Sequence, residues 1–239
     1  MRIVGVFAVA VCAAAGQAPF TLDQVLSAAF PSELTAASAG GKVAWVSAAK
    51  GVRNIMVAAP PAYQGRKITA YTEDDGQELL ELRWTPDASA VVYVRGGSAN
   101  GRGEIPNPAL NPAGASEDVW TVAMDGSAPR KIGEGNSPAV SPKGDRVVFV
   151  RRGQLWMAPI DGKSTASQLL KARGECARPV WSPDGARIAF TSARGDHGFI
   201  GVYDVAANSL RYLDPSTDDD REPEWSPDGR SIAFLRVLS

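Results

Sequence analysis

A five-residue phrase that recurs near the end of the chain constrains the fold more than any other feature. It reads Trp-Ser-Pro-Asp-Gly at 181–185 and again at 225–229, and Ile-Ala-Phe follows each copy two residues later. Ser-Pro-Asp-Gly suits a type I turn, because proline fixes φ at the second position and glycine follows the aspartate. A tight turn that leads into a short apolar strand forms half of a hairpin. A hairpin that returns at a nearly regular spacing predicts a repeat architecture.

The apolar strand that follows the phrase occurs five times. The copies begin at Val43, Val91, Val147, Ile188 and Ile232, at spacings of 48, 56, 41 and 44 residues. In every copy the third residue is aromatic and the second is Ala or Val. Side chains alternate between the faces of a strand, so one face is bulky and the other small, and both are apolar. Burial on both faces indicates sheets stacked radially around an axis, since a sandwich strand keeps one wet face.

Each unit continues with further short strands. A second and a third strand follow the turn strand, with Asp125-Gly126 and Asp161-Gly162 as hairpin signals between them. A short fourth strand is expected before the next turn. Four strands in a unit of about 40 residues are typical of a β-propeller blade.

We therefore predict an all-β fold, a partial β-propeller domain over residues 34–239. It should hold about four complete blades and the start of a fifth, which ends soon after Ile232. Closed propellers have about four to eight blades. The interpretation favoured here is that the chain is part of a larger propeller, and the alternative is a small propeller closed by its last strand.

Residues 1–16 have the composition of a signal peptide. Arg2 precedes an apolar run that is too short to span a bilayer, and Ala13-Ala14-Ala15 suits signal peptidase. We expect an exported protein, periplasmic or extracellular, with no stable membrane span after cleavage. A buried N-terminal strand is the alternative. Cys12 would leave with the signal, so Cys176 is predicted to be a free, buried thiol.

A short helix and lead-in are expected over residues 20–33. Thr21 and Gln24 have the spacing of a capping box, and Pro31 should end the helix. The overall charge is nearly balanced, with 25 Lys and Arg against 26 Asp and Glu. This balance argues against a nucleic-acid partner.

The second unit is 15 residues longer than the third, and the surplus falls within residues 96–118. Long loops rich in Gly, Pro and Asn on a rigid scaffold often contain binding residues. Glu104, Asn107 and Asn111 are the polar contacts that we predict for such a binding loop. A tolerated surface insertion is the alternative interpretation.

Other polar groups give weaker indications of a functional site. The acidic runs at 73–75 and 218–220 could bind Ca²⁺, but they lack a known calcium-loop spacing, so solvated turns are expected. His197 is the single histidine and cannot build a multi-histidine zinc site. No Gly-x-Ser-x-Gly nucleophile elbow occurs in the sequence. We therefore predict no catalytic, cofactor-binding or metal-binding residues, and no cofactor.

The repeated Trp-Ser-Pro-Asp-Gly-x-x-Ile-Ala-Phe units resemble the β-propeller repeats shared by TolB and the propeller domains of prolyl oligopeptidase-like serine peptidases. The resemblance covers residues 34–239. Stretches at 30–34 with 51–54, at 71–79 and at 194–204 are similar to the N-terminal half of secreted bacterial peptidases related to dipeptidyl peptidase IV and acylaminoacyl peptidase.

This resemblance implies a parent protein with a C-terminal α/β-hydrolase domain that carries the catalytic Ser, Asp and His. The propeller would pack on that domain and restrict access to short peptide substrates. The sequence departs from the family because no hydrolase domain is present, so no catalytic residue is transferred. A TolB-like periplasmic scaffold that binds another protein is the first alternative, and a small propeller that binds a sugar or small ligand is the second.

Overall fold

A computed structural model describes residues 20–239, and the predicted signal peptide lies outside these residues. The single helix of the described part, α1, spans Leu22–Leu26. Thr21 Oγ1 accepts a hydrogen bond from Gln24 N at 3.1 Å, and Gln24 Oε1 accepts one from Thr21 N at 2.9 Å. The predicted capping box is confirmed.

Eighteen strands follow the helix. Blades 1 and 2 are built from β1 (Phe30–Ala36), β2 (Val43–Ala49), β3 (Val52–Ala58), β4 (Arg66–Lys67), β5 (Leu79–Trp84), β6 (Ala90–Arg95), β7 (Asp118–Ala123) and β8 (Arg130–Glu134). Blades 3 and 4 are built from β9 (Asn136–Val140), β10 (Arg146–Arg151), β11 (Gln154–Pro159), β12 (Ser167–Gln168), β13 (Glu175–Trp181), β14 (Arg187–Ala193), β15 (Gly198–Asp204) and β16 (Ser209–Leu213). The start of blade 5 is the hairpin of β17 (Asp219–Trp225) and β18 (Ile232–Val237).

The sheets have the order expected of propeller blades. Within each of the four complete blades, consecutive strands pair antiparallel. The hairpin of blade 5 is joined to β15 by one parallel bridge between Gly198 and Asp219. The predicted all-β propeller of four complete blades and the start of a fifth is confirmed.

The position of the fourth strand in each unit was predicted wrongly. The strand before each turn pairs with the strand after it, as in the register Trp181↔Ile188, so it is the first strand of its own blade. The physical reason is that the tight turn joins hydrogen-bonded neighbours. The same shift puts β1 at Phe30, inside the segment expected to be helix and lead-in. Pro31 is tolerated there because β1 is an edge strand.

In blades 2, 3 and 4, the aromatic residue of the turn strand packs against the preceding blade. Tyr93 of blade 2 lies in one buried cluster with Ala44 and Val46 of blade 1. Phe149 packs in the same way with Val92 and Val94 of blade 2. These are the second and fourth positions of the neighbouring turn strand, so the predicted packing of a bulky face on a small face is confirmed. Tyr93, Phe149 and Phe190 are fully buried.

The repeated phrase also connects blades through its tryptophan. Trp181 Nε1 donates to the carbonyl of Ala139 in the preceding blade at 3.0 Å, and Trp225 Nε1 donates to the carbonyl of Val180 at 3.1 Å. Blade 3 has Val140 at this position and lacks the bond. The phrase is therefore both a turn and an interblade link.

The serine and aspartate of the phrase hold the turn closed. Ser182 Oγ accepts a hydrogen bond from Arg187 N at 2.9 Å and donates to the Asp184 carboxylate. Blade 3 has Lys143 where blades 2, 4 and 5 have aspartate. Asp145 supplies the carboxylate instead, at 2.7 Å from Ser141 Oγ. In residues 20–239, no helix has the length and apolarity needed to cross a membrane.

Candidate functional site

The first strands of the blades line a cavity, which we call the central cavity. Its volume is about 1150 Å³, and residues from all five blades line it. Polar side chains from this lining include Glu81, Arg83, Ser137, Arg178 and Glu222. The cavity is the candidate site because polar groups of both charges converge there on rigid strands.

One position in each first strand has an unusual backbone. It lies five residues before the turn proline (or its replacement, Ser38) and is occupied by Glu33, Glu81, Ser137, Arg178 and Glu222. All five residues have φ between 49° and 55°, in the left-handed region. Each lies where the register of its strand pair shifts, so each is a β-bulge. We call these five residues the axial positions.

Carboxylates connect the axial positions of the first three blades. Glu33 Oε2 accepts a hydrogen bond from the backbone N–H of Glu81 at 2.7 Å. Glu81 Oε2 in turn accepts one from the backbone N–H of Ser137 at 2.6 Å. An axial glutamate therefore binds the axial amide of the next blade, and two such bonds occur in succession.

The series of hydrogen bonds between axial positions does not continue from blade 3 to blade 4. Ser137 has a side chain too short to reach the next axial residue, Arg178. No side chain of the described residues accepts a hydrogen bond from Arg178 N. The Arg178 guanidinium instead lies 3.4 Å from Glu222 Oε1, and both side chains are substantially exposed.

Burial raises the pKa of the Glu81 carboxyl above its ordinary value. The hydrogen bond from Ser137 N and the charge of Arg83 act in the opposite direction, and the nearby Glu117 and Glu33 add to the increase. The cavity therefore contains a carboxyl group whose charged form is disfavoured by burial.

The sequence analysis missed the axial positions. The signal was present as a fixed offset of five residues before the turn proline, but the residue types differ from blade to blade. A search for shared residue types could not find them, because only the backbone conformation is shared.

The predicted binding loop is bonded mainly to itself. Asn107 Oδ1 accepts a hydrogen bond from Asn111 N at 2.9 Å, and Asn107 Nδ2 donates to the Asn111 carbonyl at the same distance. Glu104 Oε2 accepts from Asn100 Nδ2 at 2.9 Å. The structure does not bring Glu104, Asn107 and Asn111 to the central cavity, and their role in binding stays a prediction.

The base of this loop carries a buried polar cluster that the sequence analysis also missed. Glu117 accepts hydrogen bonds from Asn136 Nδ2 at 2.6 Å and from Ser98 Oγ at 3.3 Å. The Asp118 carboxylate lies 2.7 Å from Lys131 Nζ. These contacts fix the loop ends to blades 2 and 3, so the cluster has a structural explanation.

The acidic run at 218–220 was predicted wrongly as a solvated turn. Asp220 is fully buried, and its two oxygens accept from Arg236 Nε at 2.7 Å and Nη2 at 3.0 Å. This pair connects the strands of the blade 5 hairpin. In the run at 73–75, Asp74 and Asp75 form ion pairs with Arg53 and Arg95.

His197 and Cys176 have local roles. His197 Nδ1 lies 2.7 Å from Asp196 Oδ1, and its ring contacts Phe199 edge-on. Cys176 is buried, as predicted, and desolvation raises the pKa of its thiol to about 11. Within residues 20–239, no group of three or more His, Cys, Asp or Glu side chains is placed to hold a metal ion.

Comparison with known proteins gives partial sequence matches. No protein-family model matches the chain. The putative tricorn protease homolog 2 of Streptomyces coelicolor is 43% identical over 51 residues, which are 21% of this chain and 4% of that protein. The Tol-Pal system protein TolB of Albidiferax ferrireducens is 35% identical over 72 residues, 28% of this chain and 17% of that protein. The matches therefore span less than a fifth of either curated relative.

Solved structures match over most of the chain. TolB from Acinetobacter baumannii has a TM-score of 0.56 at 17% identity, covering 85% of this chain and 48% of that chain. A prolyl endopeptidase has a TM-score of 0.59 at 9% identity, covering 84% of this chain and 32% of that chain. The chain thus has the propeller fold found in TolB and in a prolyl endopeptidase.

Proposed function

We propose that this chain is the non-catalytic propeller part of an exported serine peptidase that acts on short peptides. It would control access to a C-terminal α/β-hydrolase domain and pack on that domain. The observation that carries the proposal is the central cavity. Its walls offer backbone amides, carboxylates and a guanidinium, which are the groups that bind the charged ends and the amide groups of short peptides.

The two end faces of the blade array support a larger propeller. Leu235 of blade 5 occupies the fourth position of its turn strand and is 58% exposed, whereas its counterparts Val46 and Val94 are fully buried under the next blade. At the other end, Trp45 has no preceding blade among the described residues to cover it. These faces are complementary, one bulky and one small, as in the contacts between blades 1 and 2, 2 and 3, and 3 and 4.

The reading frame of the encoding DNA tests this proposal. We expect the frame to continue through further blades into a Gly-x-Ser-x-Gly elbow. The protein translated from that frame should cleave short chromogenic peptides and spare folded proteins. The 239-residue chain alone should give no hydrolysis. A stop codon after Ser239, together with a soluble folded product, would overturn the proposal.

A TolB-like periplasmic scaffold is the second candidate. It is favoured by the 72-residue match to TolB, which is longer than the match to the tricorn homolog. On this alternative, no hydrolase elbow follows in the frame, and the loops around the cavity bind another protein.

A further inference from the structure

We propose that the central cavity holds a binding subsite for a ligand carboxylate between blades 3 and 4, at the backbone N–H of Arg178. The inference comes from comparing the blades of this chain with one another. It does not depend on the peptidase proposal.

The first step concerns the group that binds the axial amide in the equivalent positions of blades 2 and 3. Between blades 1 and 2, the axial amide of Glu81 is bound by the Glu33 carboxylate at 2.7 Å. Between blades 2 and 3, the axial amide of Ser137 is bound by the Glu81 carboxylate at 2.6 Å. A carboxylate is therefore the group that this backbone geometry binds, since a charged acceptor makes a strong bond to an amide.

The second step is the geometry at Arg178. Its φ of 49° matches the 54° of Glu81 and the 51° of Ser137. Its strand shifts register between Ala177 and Val180, as β5 does between Leu80 and Arg83. The same conformation at the same offset turns the Arg178 amide toward the cavity in the same way.

The third step concerns the residue in blade 3 whose side chain would have to supply a carboxylate to the Arg178 amide. Glu33 and Glu81 supply it in blades 1 and 2, but blade 3 has Ser137. Replacing a glutamate side chain by a hydroxymethyl group leaves the place of the carboxylate free, while Ser137 and Arg178 both line the cavity. A ligand carboxylate fits where the internal one is missing.

The cation that can contact an anion at this place is the Arg178 guanidinium, and the Glu81 and Glu222 carboxylates also line the cavity. The Arg178 guanidinium is 65% exposed and, among residues 20–239, has one ion-pair contact, at 3.4 Å to Glu222. It can turn toward a ligand without breaking a buried pair. The Ser137 hydroxyl provides a further donor. Glu33 and Glu81 already occupy successive places, so a third carboxylate beside Glu81 repeats an arrangement that the fold accommodates.

The test uses the full chain, labelled with ¹⁵N, and the amide resonance of Arg178. The probes are N-acetyl-trialanine, its C-terminal amide, and trigalacturonate, a sugar that also carries carboxylates. We expect the carboxylate peptide to shift the Arg178 amide and to bind about ten- to hundredfold more tightly than its amide, as a lost charged hydrogen bond implies. Equal affinity for acid and amide would overturn the proposal.

The variant Ser137→Glu supplies the missing carboxylate from within the chain. We expect it to shift the Arg178 amide without any ligand, to raise the melting temperature and to abolish peptide binding. The backbone tolerates this change, because Glu33, Glu81 and Glu222 have the same φ. Ser137→Met is the matched control, because its side chain has a similar length but no oxygen acceptor, so it should shift the Arg178 amide much less.

The probes also separate the two proposals. If trigalacturonate alone binds at Arg178, the carboxylate subsite stands and the peptidase proposal loses its support from this cavity. If neither acid shifts the Arg178 amide, or if Ser137→Glu leaves that amide unchanged, the subsite does not exist.

Discussion

Glu81 shows how a single residue combines structural and electrostatic roles. It occupies a left-handed backbone position, accepts the amide of the next blade and contributes its own amide to Glu33. Its carboxyl has a raised pKa, mainly because it is desolvated. The hydrogen bond and the charge therefore have opposite effects on stability, and suitable substitutions can separate them.

Replacing Glu81 by alanine should destabilise the fold by about 1–2 kcal/mol, because it removes the acceptor for Ser137 N–H in a half-buried place. Glu81→Gln keeps an oxygen acceptor and removes the charge, so its free energy of unfolding should stay within about 0.5 kcal/mol of the wild type. Urea denaturation of both variants measures the difference. Equal losses in the two variants would show that the charge, not the hydrogen bond, matters.

The turn aspartates should make the fold sensitive to acid. Hydrogen bonds from neighbouring hydroxyl groups lower the pKa of Asp87, Asp145 and Asp184 in the folded state. A lowered pKa contributes stability above the unfolded value of about 3.9, and that stability is lost as pH falls through the folded value. The melting temperature should therefore decrease when the pH is lowered below about 4. Asp184→Asn should reduce this dependence, and an unchanged pH profile would contradict the assignment.

At the scale of the element, two tryptophans differ in whether the indole N–H has a hydrogen-bond acceptor. Trp181 Nε1 has the Ala139 carbonyl as its acceptor, whereas Trp120 Nε1 is buried with no partner among the described residues. Trp181→Phe should cost about 1 kcal/mol of stability through the lost bond. Trp120→Phe, the matched control, should be neutral or stabilising because it removes an unpaired donor. Thermal unfolding of both variants tests this, and the reverse order would refute the interblade link.

The sequence predicted the elements whose signal is local. The turn phrase, the aromatic third position and the capping box at Thr21 each depend on a few neighbouring residues, and all three are confirmed. The pairing of the strand before the turn was missed, because strand partners are a tertiary property. The axial positions were missed because a bulge is defined by backbone conformation, which Glu33, Ser137 and Arg178 adopt with different side chains. Asp220 was misjudged because its partner Arg236 is distant in sequence.

At the scale of the whole molecule, the exposed end faces should govern behaviour in solution. The blade 5 hairpin presents Leu235, Val237 and Leu238, and β1 presents Phe30 and Leu34, all largely exposed. Such apolar faces next to unpaired strand edges favour association. We expect the 239-residue chain to self-associate, and Leu235→Lys to reduce association with little change in melting temperature. Sedimentation velocity measures this, and a monomeric wild-type chain would contradict the prediction.

The central claim is that these blades belong to a larger propeller joined to a hydrolase domain. Its most direct test is the length of the native protein, measured by mass spectrometry after capture with an antibody raised against this chain. We predict a product much longer than 239 residues that contains further blades and a Gly-x-Ser-x-Gly peptide. A stable native species that ends at Ser239 and remains soluble would contradict the claim.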